Sequence, residues 1–212
     1  MTHRPARRRA TLLMVCTAAV FGVAACSTDA SLASGQSLPS TGSSQSARVR
    51  MSGGYVMNED GTLQQPETNA TVPKLNPAAL QFTPEGAELA ARHFLALTEY
   101  AWATGDTQPM RNFSSADCKP CLEMAGNIDR LYEANGWTNG VRYEIAEVTR
   151  VDQVDGIDAT FGIDLVINNT AYDVYAGETL SRTGQSGAIM TLFMHWLGSR
   201  WEVLDEAANE LA

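Results

Sequence analysis

The spacing of apolar residues changes period once along this chain, and that change limits the folds open to it. In "TPEGAELAARHFLALTEYAWATGD", Ala90, His93, Phe94, Leu97, Tyr100 and Ala101 recur at helical intervals. Thr83 is a natural N-cap, Pro84 suits the first helical turn, and Glu85 complements the helix dipole. Thr104 is already polar, and Gly105 can stop the chain in the left-handed conformation. The pattern predicts a helix of about 21 residues. A loop with room for one short turn follows. "CKPCLEMAGNIDRLYEANGW" then predicts a second helix, with Leu122, Met124 or Ala125, Ile128, Leu131 and Tyr132 as its buried stripe. Asn135-Gly136 ends it.

Beyond Val141 the period falls to two. "VRYEIAEV" alternates at Val141, Tyr143 and Ile145. "IDATFGIDLVI" alternates at Ile157, Ala159, Phe161, Ile163, Leu165 and Ile167, with Asp158, Thr160 and Asp164 opposite. That is the signature of a half-buried antiparallel strand. "TAYDVYA" is a shorter strand, and "GAIMTLFMHWL" is apolar enough to lie near a sheet centre. "GSR" turns it into a final strand, "WEVLDE". Asn139-Gly140, Asp155-Gly156 and Asn168-Asn169 are turn chemistry. Helices first and a curved antiparallel sheet afterwards make an α+β domain. This order resembles the nuclear transport factor 2-like cone, also called cystatin-like, over about 130 residues. The resemblance implies that the first helix lies against the concave side of the sheet. It carries little about activity.

The N-terminus reads "MTHRPARRRATLLMVCTAAVFGVAACSTDA". Arg4, Arg7, Arg8 and Arg9 form a basic segment, and an apolar stretch follows from Leu12 to Ala25. That stretch is shorter than the roughly 20 residues a transmembrane helix needs, and it fits a secretory signal. Val23-Ala24-Ala25-Cys26 resembles a bacterial lipobox. The resemblance implies that Cys26 carries a diacylglycerol and begins the mature chain. Two acyl chains hold a protein stably on a membrane. The whole chain has 15 basic and 24 acidic residues. Without the four signal arginines the balance is 11 against 24, a net charge of −13. Such a surface repels nucleic acid and anionic headgroups.

From Ser27 to Ala47 the sequence is rich in Ser, Thr, Gly and Gln, with almost no large apolar residue. It cannot bury enough surface to offset the entropy of ordering. A thinner version of this composition continues to Asn76, interrupted by Tyr55 and Val56, which are not expected to dock. The expected organisation is a lipoprotein signal over 1–25, a lipidated flexible tether over 26–76 and one α+β domain over 77–212. A coil of about 50 residues reaches roughly 40 Å.

The segment from Thr83 to Trp137 looks like the core of an uncharacterised family of actinobacterial lipoproteins. The features that carry the resemblance are the lipobox, the Ser/Thr-rich tether, the helix running through Tyr100 to Thr104-Gly105-Asp106, and Cys118-x-x-Cys121. It implies location and domain type, and no known reaction.

Cys118 and Cys121 admit three readings. Zinc needs four ligands, and only His93 and His195 remain in the domain to complete the set, without finger-like spacing. A redox dithiol would place its first cysteine at a helix N-terminus, where the dipole lowers its pKa. The segment does open a helix, but the preceding "RNFSSAD" is polar rather than a buried strand. A short structural disulfide suits an extracytoplasmic compartment and is the reading preferred. It would stabilise the entry to the second helix modestly, towards the low end of about 2–4 kcal/mol.

His93, Tyr100, Asp164 and His195 could line a pocket between helix and sheet, and an Asp–His pair there could support a small hydrolase or isomerase. A hydrogen-bonded core histidine is the commoner outcome. Asn69, Asn112 and Asn168 open glycosylation sequons, which a bacterial lipoprotein would not use. Walker, nucleophile-elbow and HExxH motifs are absent from the sequence. The expectation is a lipid-anchored, non-enzymatic envelope module that needs no cofactor or metal. It would bind an envelope protein or a small apolar ligand, and no nucleic acid. The alternative is an envelope thiol-disulfide oxidoreductase using Cys118 and Cys121.

Overall fold

The computed structural model describes residues 49–211. Helix α1 spans Pro84–Thr104. The Thr83 hydroxyl accepts from the Gly86 N–H at 3.0 Å, which closes its N-terminus. Gly105 ends it at φ 78°, with its N–H donating to the Ala101 carbonyl. The buried face is wide and includes Ala87, Ala90, Ala91, Phe94, Leu95, Leu97, Thr98 and Ala101. The chain flanks α1 from more than one side. One side meets the sheet. On the other, Ala70, Thr71 and Pro73 lie beside Ala96, Tyr100 and Ala103, and Leu75 packs on the core.

A short helix, α2, spans Gln108–Asn112, and α3 spans Lys119–Glu133. The stripe expected on α3 holds at Ala125 and Ile128 but not at Leu122. Cys121, Ala125 and Ile128 face the core, while Leu122 is 38% exposed. Cys121 is joined to Cys118 across the first turn, with Cα atoms 5.4 Å apart.

Strands β4 (Tyr143–Gln153), β5 (Thr160–Asn169), β8 (Ser186–Trp196) and β9 (Trp201–Glu210) form one antiparallel sheet in the order β4-β5-β8-β9. Phe161, Ile163, Leu165 and Ile167 of β5, with Met190, Leu192 and Met194 of β8, are buried on the face that meets α1. The central position expected for "GAIMTLFMHWL" is where β8 lies, paired to β5 and β9. Phe113–Ser115 runs along the outer edge of β9. Phe113 accepts from the Val203 N–H at 2.9 Å, and the Ser115 N–H donates to Val203 at 2.8 Å.

Two expectations need correction. The strands do not form one sheet. β3 (Trp137–Asn139), β6 (Tyr172–Ala176) and β7 (Thr179–Thr183) make a separate three-stranded sheet, in which Trp137 pairs directly with Tyr175 and their rings stack. β7 reads "TLSRT" and has too few apolar residues to register as a strand. The domain also begins earlier than 77. β1 (Met51–Ser52) and β2 (Tyr55–Val56) form a small hairpin. Tyr55, Met57 and Leu63 pack with Trp137, Tyr175 and Leu180 in a second apolar cluster. The Tyr55 hydroxyl donates to Asp173 at 2.7 Å and accepts from Asn139 at 3.0 Å. Three apolar residues with polar neighbours look like tether in sequence. They dock because β3 and β6 present an aromatic surface made far away along the chain. The expected signal, and the expected tether up to residue 48, lie outside the described residues. Among the described residues, no helix is long and apolar enough to cross a membrane.

Candidate functional site

Strand parity decides where the four expected pocket residues go. On β5, odd positions from Phe161 to Ile167 face the helices, so Thr160 and Asp164 point to the other face. His195 pairs with Thr160 in register and shares that outer face. Asp164 is held there by Arg150, whose Nε and Nη2 donate at 2.6 and 3.0 Å, and by the Thr191 hydroxyl at 2.7 Å. The Arg150 hydrogen bonds, ahead of the one from Thr191, hold its carboxyl below the usual carboxylate range. The Arg150 guanidinium lies over Gly162, where a Cβ would come within 2.7 Å of Nη1 and push it aside.

His195 stands four residues along the strand from Asp164, about 13 Å by strand rise. Its Nδ1 lies 2.9 Å from the Thr160 hydroxyl, which donates its own hydrogen to the Asp158 carbonyl at 3.0 Å. Which of the two groups donates in the His195–Thr160 contact depends on the imidazole tautomer. His93 sits on α1, edge-on to the Phe113 ring, and burial pushes its pKa down. Tyr100 donates to Asp106 at 3.0 Å. The Asp–His contact that an enzymatic reading would need is absent, and the four residues form no common pocket: Asp164 and His195 share a face but stand apart, and both histidines have other partners, in line with the commoner outcome.

The end of the sheet that carries the β4–β5 turn presents a different surface. Val154 and Thr160 close this turn through an N–H to carbonyl bond of 2.8 Å. Inside it Ala159 adopts φ 52°, the left-handed region that a Cβ disfavours. The Trp196 N–H donating to the Ala159 carbonyl at 2.8 Å holds it there. The alternation expected through Ile157 and Ala159 stops at this turn, and Ile157 is 42% exposed rather than half-buried in a strand. Beside it Phe193 and Leu204 line a cleft of about 470 Å³, with Asp117, Lys119 and Asp205 at its rim. Around the same end, Phe82 packs on Phe161, Trp196 and Trp201 while staying largely exposed.

One residue escaped sequence reasoning altogether. Register shifts between Phe193 and Met194, so Leu204 is an extra residue in β9 and Glu206 faces Leu192 on the helix side. Its Oε2 is buried with no hydrogen-bond partner. Burial, and then the neighbouring Asp205 charge, raises its pKa to about 7. Burial raises the Tyr143 hydroxyl too, with smaller contributions that include the Glu99 and Glu206 charges. Nothing in "WEVLDE" marks Glu206 as inward, because a bulge is invisible to a period-two reading.

The two cysteine sulfurs are shielded: Cys118 is 0% and Cys121 1% exposed. Among the described residues no three His, Cys, Asp or Glu side chains gather where a metal could be held.

Residues 57–207 match the model of DUF6318, a family of unknown function. The chain belongs to DUF6318. The DUF6318 span starts at Met57, inside the docked N-terminal segment rather than at residue 77. No curated protein matches the sequence of this DUF6318 chain. Among solved structures, the intermembrane space region of the chloroplast protein ARC6 is similar at 8% identity and a TM-score of 0.50, over 62% of this chain and 99% of that one. That likeness concerns the fold alone. An uncharacterised cystatin-like protein from Caulobacter vibrioides matches at 8% identity and a TM-score of 0.42, over 60% and 91% of the two chains. An NTF2-like protein of unknown function from Shewanella baltica matches at 12% identity and a TM-score of 0.37, over 61% and 98%.

Proposed function

We propose that this DUF6318 protein is a lipid-anchored component of the extracytoplasmic face of the cell membrane, of the actinobacterial lipoprotein kind. Its domain is a cystatin-like binding module with no catalytic role. The observation that carries the reading is a contrast between two faces. The helix-facing side of the main sheet is filled by Phe94, Leu97, Ile163, Leu165, Leu192 and Met194, all buried. Apolar side chains are instead presented at the sheet end, around Ile157, Phe193 and Leu204. A filled interior suits a polypeptide partner better than a small apolar ligand in a cavity. Lipidation at Cys26 follows from the lipobox-like Val23-Ala24-Ala25-Cys26, with 27–48 as tether.

The oxidoreductase reading is disfavoured by burial. A dithiol catalyst has to offer a sulfur to its substrate, and both sulfurs here are covered. Cys118 and Cys121 act as a staple at the start of α3. Two measurements test the proposal. Radiolabelled palmitate should enter the wild-type protein and not the Cys26→Ser variant; equal labelling sinks the anchor. The Cys118–Cys121 couple should be reduced only below about −300 mV, and a potential of about −120 to −200 mV would restore the enzymatic reading.

A further inference from the structure

The outer face of the main sheet has a cross-strand row that runs Asp152, Gly162, Phe193, Asp205. Phe193 therefore sits between a glycine and an acid in its own row, with a second acid at the far edge strand. Leu204, the bulged residue, stands next to it, and Ile157 closes the cleft from the β4–β5 turn. Asp155 and Asp158 flank Ile157 in sequence, and Asp117 lies across the cleft. Against these acids stands Lys119 at the rim, while Arg150 on the same face is already taken by Asp164. The geometry points to this cleft as the docking site of a basic polypeptide segment that carries an apolar anchor side chain. The inference rests on the binding-module reading and names its surface and partner.

Three physical features support that occupant. Ile157 is exposed and Phe193 and Leu204 are half-buried, so filling the cleft removes their remaining apolar surface from solvent. The turn that offers Ile157 is stiff, because the Ala159 backbone is held by bonds from Trp196 and across Val154–Thr160. A stiff turn has little conformational freedom left to lose on binding. The acids select the sign of the partner. A second copy of this face would bring acids against acids, and an anionic lipid surface would be repelled in the same way. Lysine or arginine beside an apolar side chain answers both parts of the cleft.

The test uses the intact protein in a neutral detergent. The probe is a short fluorescein-labelled peptide alternating lysine and leucine around one phenylalanine, with a twin in which glutamate replaces lysine. Anisotropy should show binding of the basic peptide and not of the acidic twin. Ile157→Ser should weaken it about tenfold, the loss expected from one buried aliphatic contact. Asp117→Lys with Asp205→Lys should weaken it by at least as much. Glu178→Lys, in the distant β6–β7 turn, should leave it unchanged. Equal binding of both peptides, no effect of Ile157→Ser, or an equal loss with Glu178→Lys would each overturn the site. A photo-crosslinking amino acid placed in cells at 157, 65 or 178 separates the two levels of the proposal. Adducts at 65 or 178 but not 157 reject this cleft and keep the binding module. Adducts at none of the three count against both.

Discussion

Glu206→Gln is the most direct probe of how the bulge in β9 shapes this domain. The carboxyl sits opposite the buried Leu192, with Oε2 lacking a partner, and its pKa is raised from 4.5 to about 7. A raised pKa means that the folded state holds the proton more tightly than the unfolded chain does. The stabilisation from the neutral form is complete below pH 4.5 and is lost as the pH climbs through about 7. Each pKa unit is about 1.4 kcal/mol, and the group keeps some contact with water, so ionisation costs about 2–3 kcal/mol by pH 8. Glutamine keeps the shape and cannot ionise. The variant should match wild type near pH 4.5 and exceed it by about 2 kcal/mol at pH 8, or roughly 4–8 °C in Tm for a domain of this size. Urea unfolding at both pH values reads the difference. A parallel loss of stability in both proteins between pH 5 and 8 would show that Glu206 is not the titrating group. A variant less stable than wild type at pH 8 would show that the carboxylate has a partner.

Further predictions test other joints of the fold. Ala159→Gly should raise stability by about 0.5–1 kcal/mol in thermal unfolding, because glycine adopts φ 52° without the Cβ clash; a loss would mean that the turn is unstrained. Gly105→Ala should cost about 1–3 kcal/mol, since φ is 78° and the new Cβ would lie 2.6 Å from the Tyr132 ring. Tyr55→Phe removes the hydroxyl that joins Asp173 and Asn139, and should cost about 1 kcal/mol. It should also speed tryptic cleavage after Arg50, read by mass spectrometry. An unchanged cleavage rate would mean that the N-terminal hairpin is held by Leu63 and Trp137 alone.

How far each element could be read from sequence follows the range of the interactions that make it. α1 was legible from cap to cap, because Thr83, Pro84 and Gly105 act within a few residues of themselves. Cys118 and Cys121 were legible as a pair, because three residues at a helix start bring their Cα atoms to 5.4 Å. The candidate site was legible only in fragments. Asp164 was legible on the polar face of its strand and His195 inside a long apolar strand, yet register sets them apart along the outer face. Ile157 was read as a buried strand residue, because the break at Ala159 leaves no mark on the alternation.

By itself, then, the sequence determined the order of the two long helices and the four strands of the main sheet, the ends of α1 and the acidic charge of the chain. These follow from local backbone preference, short-range hydrogen bonds and composition. Tertiary structure alone decided that Tyr55 meets Asp173 across 118 residues, that Cys121 rather than Leu122 faces inward, and that Glu206 turns under the helices. A strand's inward face depends on where its partner's hydrogen bonds fall. One extra residue at Leu204 is enough to reverse it.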